Sequence, residues 1–303
     1  MPNPALTVII LTFNSENTIE YLLGSVVKLG ARVVVVDSYS TDKTPEIAQR
    51  MGADFVQHPF ENYSRQRLWS EEYAAVPPGE WLLHLDSDEI PTAELVGNLN
   101  AAVKANDAAI SGYLMKRLTF FWGRPMRHGH MNPNWHLRLY KSGQGRCEDR
   151  LYDQHYVTEG KTAKLDGYLL DLQLVNLFTW TASHNRWSTA EAEEAAQADA
   201  GAASGQLKAS LTGDLREKKR WVKQNLWYKL PLLARPYFLF FYNFILRGGF
   251  LDGAEGFVYH TLQAFWFRFM VDAKILEAKR FSDFAAGRIS SEWLRQLGVE
   301  LSD

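Results

Sequence analysis

From Leu6 to about residue 95, short runs of Val, Ile and Leu alternate with stretches whose apolar residues recur every three or four positions. LTVIILTF, RVVVVD, ADFVQHP and EWLLHLD read as four strands. Between them, SENTIEYLLGSVVKL reads as a helix capped by Ser15 or Asn17. STDKTPEIAQRMG reads as one running from Ser40–Asp42 to about Gly52, and SRQRLWSEEYAAV as one broken at Pro77–Pro78. Strands that are apolar along their whole length are buried on both faces, so the alternation predicts an α/β fold with a mostly parallel sheet flanked by helices.

Beyond residue 95 the pattern loosens. GYLMKRLTFFWG and NWHLRLYKSG read as strands, and AKLDGYLLDL as a short strand and loop. From about residue 183 the Ala/Glu-rich STAEAEEAAQADAGAASGQ predicts a solvent-facing helix, which divides the chain into 1–182 and a helical region 183–303. Within the latter, 216–277 stands apart. The basic block REKKRWVK precedes the aromatic run NLWYKLPLLARPYFLFFYNFIL, then RGGFLDGAEGF reads as a turn and VYHTLQAFWFRFMVDAKIL as a helix. Lys229 and Arg235 interrupt the aromatic run, and Pro231 and Pro236 break it. A clean span of roughly 20 apolar residues is therefore not expected. Two readings stay open: an amphipathic segment lying in the headgroup region of a membrane, or a core helix hairpin. The basic block favours the membrane surface.

Composition narrows the class. A net charge of -2 over 303 residues argues against nucleic acid as a partner, and one cysteine, Cys147, permits neither a zinc cluster nor an internal disulfide. LTVIILTF lacks a basic flank and a small-residue cleavage site, so it reads as a strand and not a leader.

Parallel α/β sheets bind ligands at the carboxyl ends of their strands. Here three strand ends are polar: Thr12, Asn14 and Glu16 after the first, Asp37, Ser38 and Asp42 after the second, and Asp86, Asp88 and Glu89 after the fourth. Asp37 sits where a carboxylate accepts from a ribose hydroxyl or a base N–H, whereas Asp42 suits an N-cap equally well. Asp86 and Asp88 are two residues apart in a turn and can address one Mg²⁺ or Mn²⁺ ion. In isolation the same acids also fit a solvated turn. No Gly-rich phosphate loop follows the first strand, so a diphosphate would be met by metal and by side chains such as Arg65 and Arg67.

VIILTFNSENTIEYLLGSV, VVVVDSYSTDKTPEIAQRMGA and WLLHLDSDE together resemble a family 2 glycosyltransferase of GT-A fold. FFWGRPMRHG, NWHLRLYKSG and RGGFLDGAEGFVYHTLQAF resemble its branch of lipopolysaccharide core glucosyltransferases. The resemblance implies a nucleotide-sugar donor, a UDP-sugar first, contacted by Thr12, Asn14, Glu16, Asp37 and Asp42. It implies Asp86 and Asp88 at metal and diphosphate, and inverting transfer to a lipid-linked or lipopolysaccharide glycan on the cytoplasmic face of the inner membrane. The branch carries a His-Glu pair where this chain reads CEDRLYDQHYV, which puts Gln154 in place of the glutamate. Gln154 cannot take a proton. The general base is therefore expected at Asp153, beside His155, or at Asp149. Two alternatives remain: a phosphotransferase of the haloacid dehalogenase type with Asp86 as nucleophile, and a non-catalytic membrane-bound binder of nucleotide sugars.

Overall fold

The computed structural model describes residues 5–129, 133–149, 154–199 and 225–281, with isolated positions and one short helix outside these spans. The first four strands and their helices follow the predicted alternation: β1 (Leu6–Thr12), α1 (Ile19–Val26), β2 (Arg32–Asp37), α2 (Thr44–Arg50), β3 (Asp54–Gln57), α3 (Tyr63–Ala74) and β4 (Trp81–Asp86). A three-residue strand β5 (Glu89–Pro91) and helix α4 (Ala93–Ala105) follow. Then come β6 (Ile110–Phe121), β7 (Arg124–Pro125), β8 (Asn134–Lys141), β9 (Gly145–Cys147), β10 (Tyr156–Thr158) and β11 (Lys161–Gln173).

The main sheet runs in the order β3-β2-β1-β4-β8-β6-β11-β5, and β9 pairs with β10 apart from it. Strands β1 to β4 are mutually parallel, and β6 and β11 are parallel to each other. Strand β8 runs antiparallel between β4 and β6. The sheet is thus the mostly parallel α/β sheet the sequence predicts, with β8 reversed in its middle and the short β5 and β7 antiparallel to their partners.

The two-residue period of the strands decides which face each side chain covers. Val8, Ile10, Val35, Leu83 and Leu85 meet α1, α2 and α4 through Leu22, Val26, Ile47, Leu95 and Leu99. Ile9, Val34, Val36 and Leu82 point the other way, onto Ala74, Tyr140 and Tyr156. Each such fully buried side chain contributes roughly 1.5–3 kcal/mol.

Three local expectations are corrected. Helix α1 begins at Ile19 with Thr18 as N-cap and no side-chain cap bond; Ser15 serves it through its carbonyl, which accepts from the Thr18 and Ile19 amides. AKLDGYLLDL is part of a 13-residue strand, β11, whose register shifts between Lys164 and Tyr168. Gly167 in that irregularity has φ +92, and a Cβ there would sit 2.5 Å from the Leu95 backbone nitrogen, so the apolar period breaks where a side chain cannot fit. RGGFLDGAEGF is a turn only to Asp252, because a helix resumes at Gly253.

The C-terminal helices are α5 (Leu177–Asp199), which starts six residues before the expected position, α6 (Arg235–Phe241), α7 (Gly253–His260) and α8 (Phe267–Arg280). Two π-helical stretches, Tyr242–Leu246 and Thr261–Trp266, link them. Phe267, Val271 and Ile275 of α8 pack on Trp187, Ala192 and Ala195 of α5. Arg235, which as a bare sequence position interrupts an apolar run, is buried against the carboxylate of Asp272. Tyr259 of α7 joins Phe121 and Trp180 at the end of the sheet, so this region is packed on the strands that build the crevice. Among the described residues no helix is long and apolar enough to cross a membrane.

Candidate active site

Register places the polar strand ends level with one another. Thr12 pairs with Asp37, Asp37 with Gln57, and Leu11 with Asp86, so one transverse row of polar groups tops β3, β2, β1 and β4. The two loops above the first strands are interlocked. The Asn14 amide donates to Ser40 Oγ at 2.8 Å, and the Thr41 amide donates to Asn14 Oδ1 at 2.9 Å. Similarly, the Glu16 amide donates to Asp42 at 3.0 Å and the Lys43 amide to Glu16 at 3.1 Å. Asp42 also accepts from the Thr44 amide at 2.9 Å. Burial raises the Asp42 pKa, but the bonds from Thr44 and Glu16 outweigh it and the net shift is downward. Asn14, Glu16 and Asp42 therefore shape these loops.

Asp37 has no exposed surface. Its carboxylate accepts from Thr12 Oγ1 at 2.9 Å, the Ser40 amide at 2.8 Å, the Ser40 hydroxyl at 2.5 Å and Gln57 Nε2 at 3.0 Å. Its bonding capacity is spent inside the protein. Ser38 donates its amide to the Thr12 carbonyl at 2.9 Å, and its hydroxyl accepts from Gln66 at 3.3 Å.

At the end of β4 the acids gather their own counter-ions. Asp86 meets Arg67 at 3.1 Å and Arg138 at 2.5 Å. The same Nη2 of Arg138 lies 2.5 Å from Glu89, which also accepts the Asp86 amide at 3.1 Å. Arg117 stands further off, 3.7 Å from Glu89 and 3.6 Å from Asp171. Thr119 donates to Asp171 at 2.8 Å. Asp171 pairs in register with Glu89 on one side and Thr119 on the other, and the Leu172 amide bonds the Asp88 carbonyl at 3.0 Å.

These surroundings push the two aspartates apart. Burial raises Asp86, but Arg138 and then Arg67 overcome it and hold the carboxyl far below the ordinary range. Among the described residues no guanidinium pairs with Asp88; burial, then Asp171, Asp86 and Glu89, drive it well upward against Arg117. With Arg67 and Arg138 both drawn to Asp86, the Asp88 carboxylate in the turn after β4 is a hard oxygen donor of the kind a divalent cation accepts. Among the described residues no three His, Cys, Asp or Glu side chains form a complete ligand set, so the remaining ligands would be phosphate oxygens and water.

The other expected residues separate. Arg65 is exposed on α3, and its amide is capped by Asn62, whereas Arg67 from the same helix is buried on Asp86. Asp149 is exposed, 3.5 Å from Ser64 Oγ, while Asp153 lies outside the described residues. His155 packs 3.3 Å from the buried Glu148, and His128 bonds Asp252 at 2.6 Å. Arg117, Arg138 and Asp171 were not singled out by sequence. Arg138 and Asp171 each stand between leucines in a strand, Leu137 and Leu139 for the first, Leu170 and Leu172 for the second, which is the only local signal they give.

Asp86, the nucleophile of the phosphotransferase alternative, is tied to two guanidinium groups, which blunts its nucleophilicity.

Residues 7–157 match the model of the family described as glycosyl transferase family 2. Similar curated proteins include an uncharacterized glycosyltransferase of Rickettsia bellii, 37% identical over 90 residues, which are 30% of this chain and 30% of that protein. Another, of Rickettsia typhi, is 29% identical over 136 residues, 45% of this chain and 46% of that one. The chain thus spans less than half the length of these relatives. Glucosyl-3-phosphoglycerate synthase from Mycobacterium tuberculosis, solved with Mn²⁺ and UDP-glucose, is 26% identical. That match covers 38% of this chain and 43% of the other, at a TM-score of 0.31.

Proposed function

We propose that this chain, a member of glycosyl transferase family 2 through residues 7–157, is an inverting, metal-dependent glycosyltransferase that takes a nucleotide-sugar donor. The observation that carries the reading is the register that sets Asp86 level with the row Thr12, Asp37 and Gln57, with Asp88 in the turn that follows. Asp86 and Asp88 would hold a Mg²⁺ or Mn²⁺ ion, whose positive charge would stabilise the departing nucleoside diphosphate. Arg67 and Arg138 keep Asp86 ionised and fixed, so the turn that carries Asp88 holds its shape. The acceptor hydroxyl gives its proton to a carboxylate, Asp153 or Asp149, and attacks the anomeric carbon as the bond to the diphosphate breaks. Attack from the opposite face inverts that centre.

The acceptor in this reading is a lipid-linked or lipopolysaccharide glycan at the cytoplasmic face of the inner membrane. Support comes from the hairpin around α6 and α7, where Phe238, Phe241, Ile245, Leu246, Leu251 and Phe257 are all exposed. Large apolar side chains in such number on one segment mark an interaction surface. The basic block at 216–223, most of it outside the described residues, precedes it and complements anionic lipid.

A panel of nucleotide sugars with and without Mn²⁺, scored by thermal shift, tests the donor. Ligand at 100 times its Kd stabilises by about 2.7 kcal/mol. Stabilisation that needs metal and vanishes in Asp88→Asn is expected; no shift with any donor sinks the reading. Asp153→Asn and Asp149→Asn then locate the base: the correct one loses about 10²–10⁴-fold in kcat with donor affinity intact.

A further inference from the structure

We propose that Gln57, and not Asp37, reads the nucleobase of the donor, and that it selects bases carrying a ring N–H. The inference rests on the nucleotide-sugar reading and adds the class of base.

Asp37 is fully buried, with four donors on its two oxygens. A carboxylate in that state has neither surface nor lone pairs directed at a ligand. Gln57 is different. It ends β3, level with Asp37 in register, and its side chain is exposed. A carboxylate only accepts, so the Gln57 group facing Asp37 must be its amide nitrogen, at 3.0 Å from Oδ2. The carboxamide cannot flip without losing that bond and setting two oxygens against each other. Its carbonyl Oε1 is thereby fixed as an outward acceptor on the row of strand ends.

Two exposed aromatic residues flank the row, Phe13 after β1 and Tyr39 after β2. Tyr39 holds a left-handed backbone at φ 59, a conformation costly for a bulky residue and kept only where its surroundings impose it. Their rings offer stacking surface to a planar ligand, which leaves hydrogen-bond identity to Gln57. An acceptor oxygen matches uracil or thymine N3–H and guanine N1–H. It opposes cytosine N3 and adenine N1, which carry lone pairs.

Binding of UDP, dTDP, GDP, CDP and ADP, measured by calorimetry with Mn²⁺, tests this. The wild-type chain is expected to bind the first three at least tenfold more tightly than the last two. Gln57→Leu, which removes the carboxamide, should narrow that ratio to threefold or less by weakening the favoured bases. Asp37→Asn can accept through its own carbonyl or donate through its amide. It therefore frees Gln57 to flip, and should move the preference toward CDP. Absence of binding by any nucleoside diphosphate to the wild type would overturn the donor reading itself. Tight binding with no base preference, or a preference unchanged in Gln57→Leu, would overturn the role of Gln57 alone.

Discussion

Arg138 places a single guanidinium nitrogen 2.5 Å from Asp86 and 2.5 Å from Glu89, with its own side chain only 5% exposed. One cation thus binds together the last residue of β4 and the first of β5. Removing one partner of a buried ion pair leaves the others uncompensated and costs about 3–5 kcal/mol. Arg138→Leu is expected to lose stability on that scale in urea titrations. Arg138→Lys should recover part of it, since an ammonium keeps the charge but not the planar fork. The loss should shrink on acidification, because the folded-state pKa of Asp86 is depressed. Its contribution is complete above the unfolded carboxylate range of about 3.9 and fades as pH falls through the lower folded value.

Asp88 bears the opposite strain. Its folded pKa is raised, so the native state holds the proton more tightly than the unfolded chain, and stability falls as pH rises from the unfolded carboxylate range of about 3.9 through that folded value. Asp88→Asn should therefore melt at a higher temperature than the parent without metal, by at least about 2 °C, roughly 1 kcal/mol. It should also lose any thermal shift with Mn²⁺. A variant that melts lower, or that still responds to Mn²⁺, contradicts the assignment.

A second titration lies away from the crevice. Burial raises the Glu71 carboxyl to about 7, partly offset by the Tyr140 hydroxyl that donates to it at 2.6 Å. Between its unfolded value, about 4.3, and about 7, the native state binds more protons than the unfolded chain, so stability falls as pH rises across that window. Glu71→Gln should flatten the slope between pH 5 and 8 and be the more stable protein at pH 8, by about 1–3 kcal/mol. Denaturant midpoints at pH 5, 6.5 and 8 decide it.

For the aromatic hairpin the expectation concerns location. Phe238, Phe241 and Leu246 are 62%, 53% and 65% exposed, so changing them disturbs little of the core. The triple change to Ser should weaken flotation with anionic vesicles at least tenfold while leaving nucleotide binding within twofold. Wild-type binding that is already negligible, or that is unaltered by the triple change, would remove the membrane from the proposal.

The row of strand ends was legible because its information is local. Strand, turn and helix lie within thirty residues, and Thr12, Asp37 and Asp86 fall at strand ends that the apolar runs themselves define. The counter-ions were not legible. Arg138 reaches Asp86 only because β8 inserts antiparallel beside β4, and Asp171 meets Glu89 only through the pairing of β11 with β5. Neither neighbour is implied by spacing along the chain. Asp37 shows the same limit in reverse. Its place at a strand end could be read, but its burial depends on Gln57, twenty residues on. The irregularity around Gly167 hid the length of β11, since a glycine and the charges Lys164 and Asp166 interrupt the apolar pattern and make a long strand look like a short one with a loop.

The reversed strand in the middle of the sheet also bears on synthesis. As the ribosome extends the chain, β1 to β4 emerge first and hold the polar row of strand ends, but Arg117, Arg138 and Asp171 are still unmade. At that stage Asp86, Asp88 and Glu89 would crowd one another with Arg67 alone beside them. Pairings between residues far apart in the chain form slowly, because the intervening loop must close first. The acid crevice therefore forms only after β11 has been made, and a chain released before then carries its acids without the counter-ions that hold them.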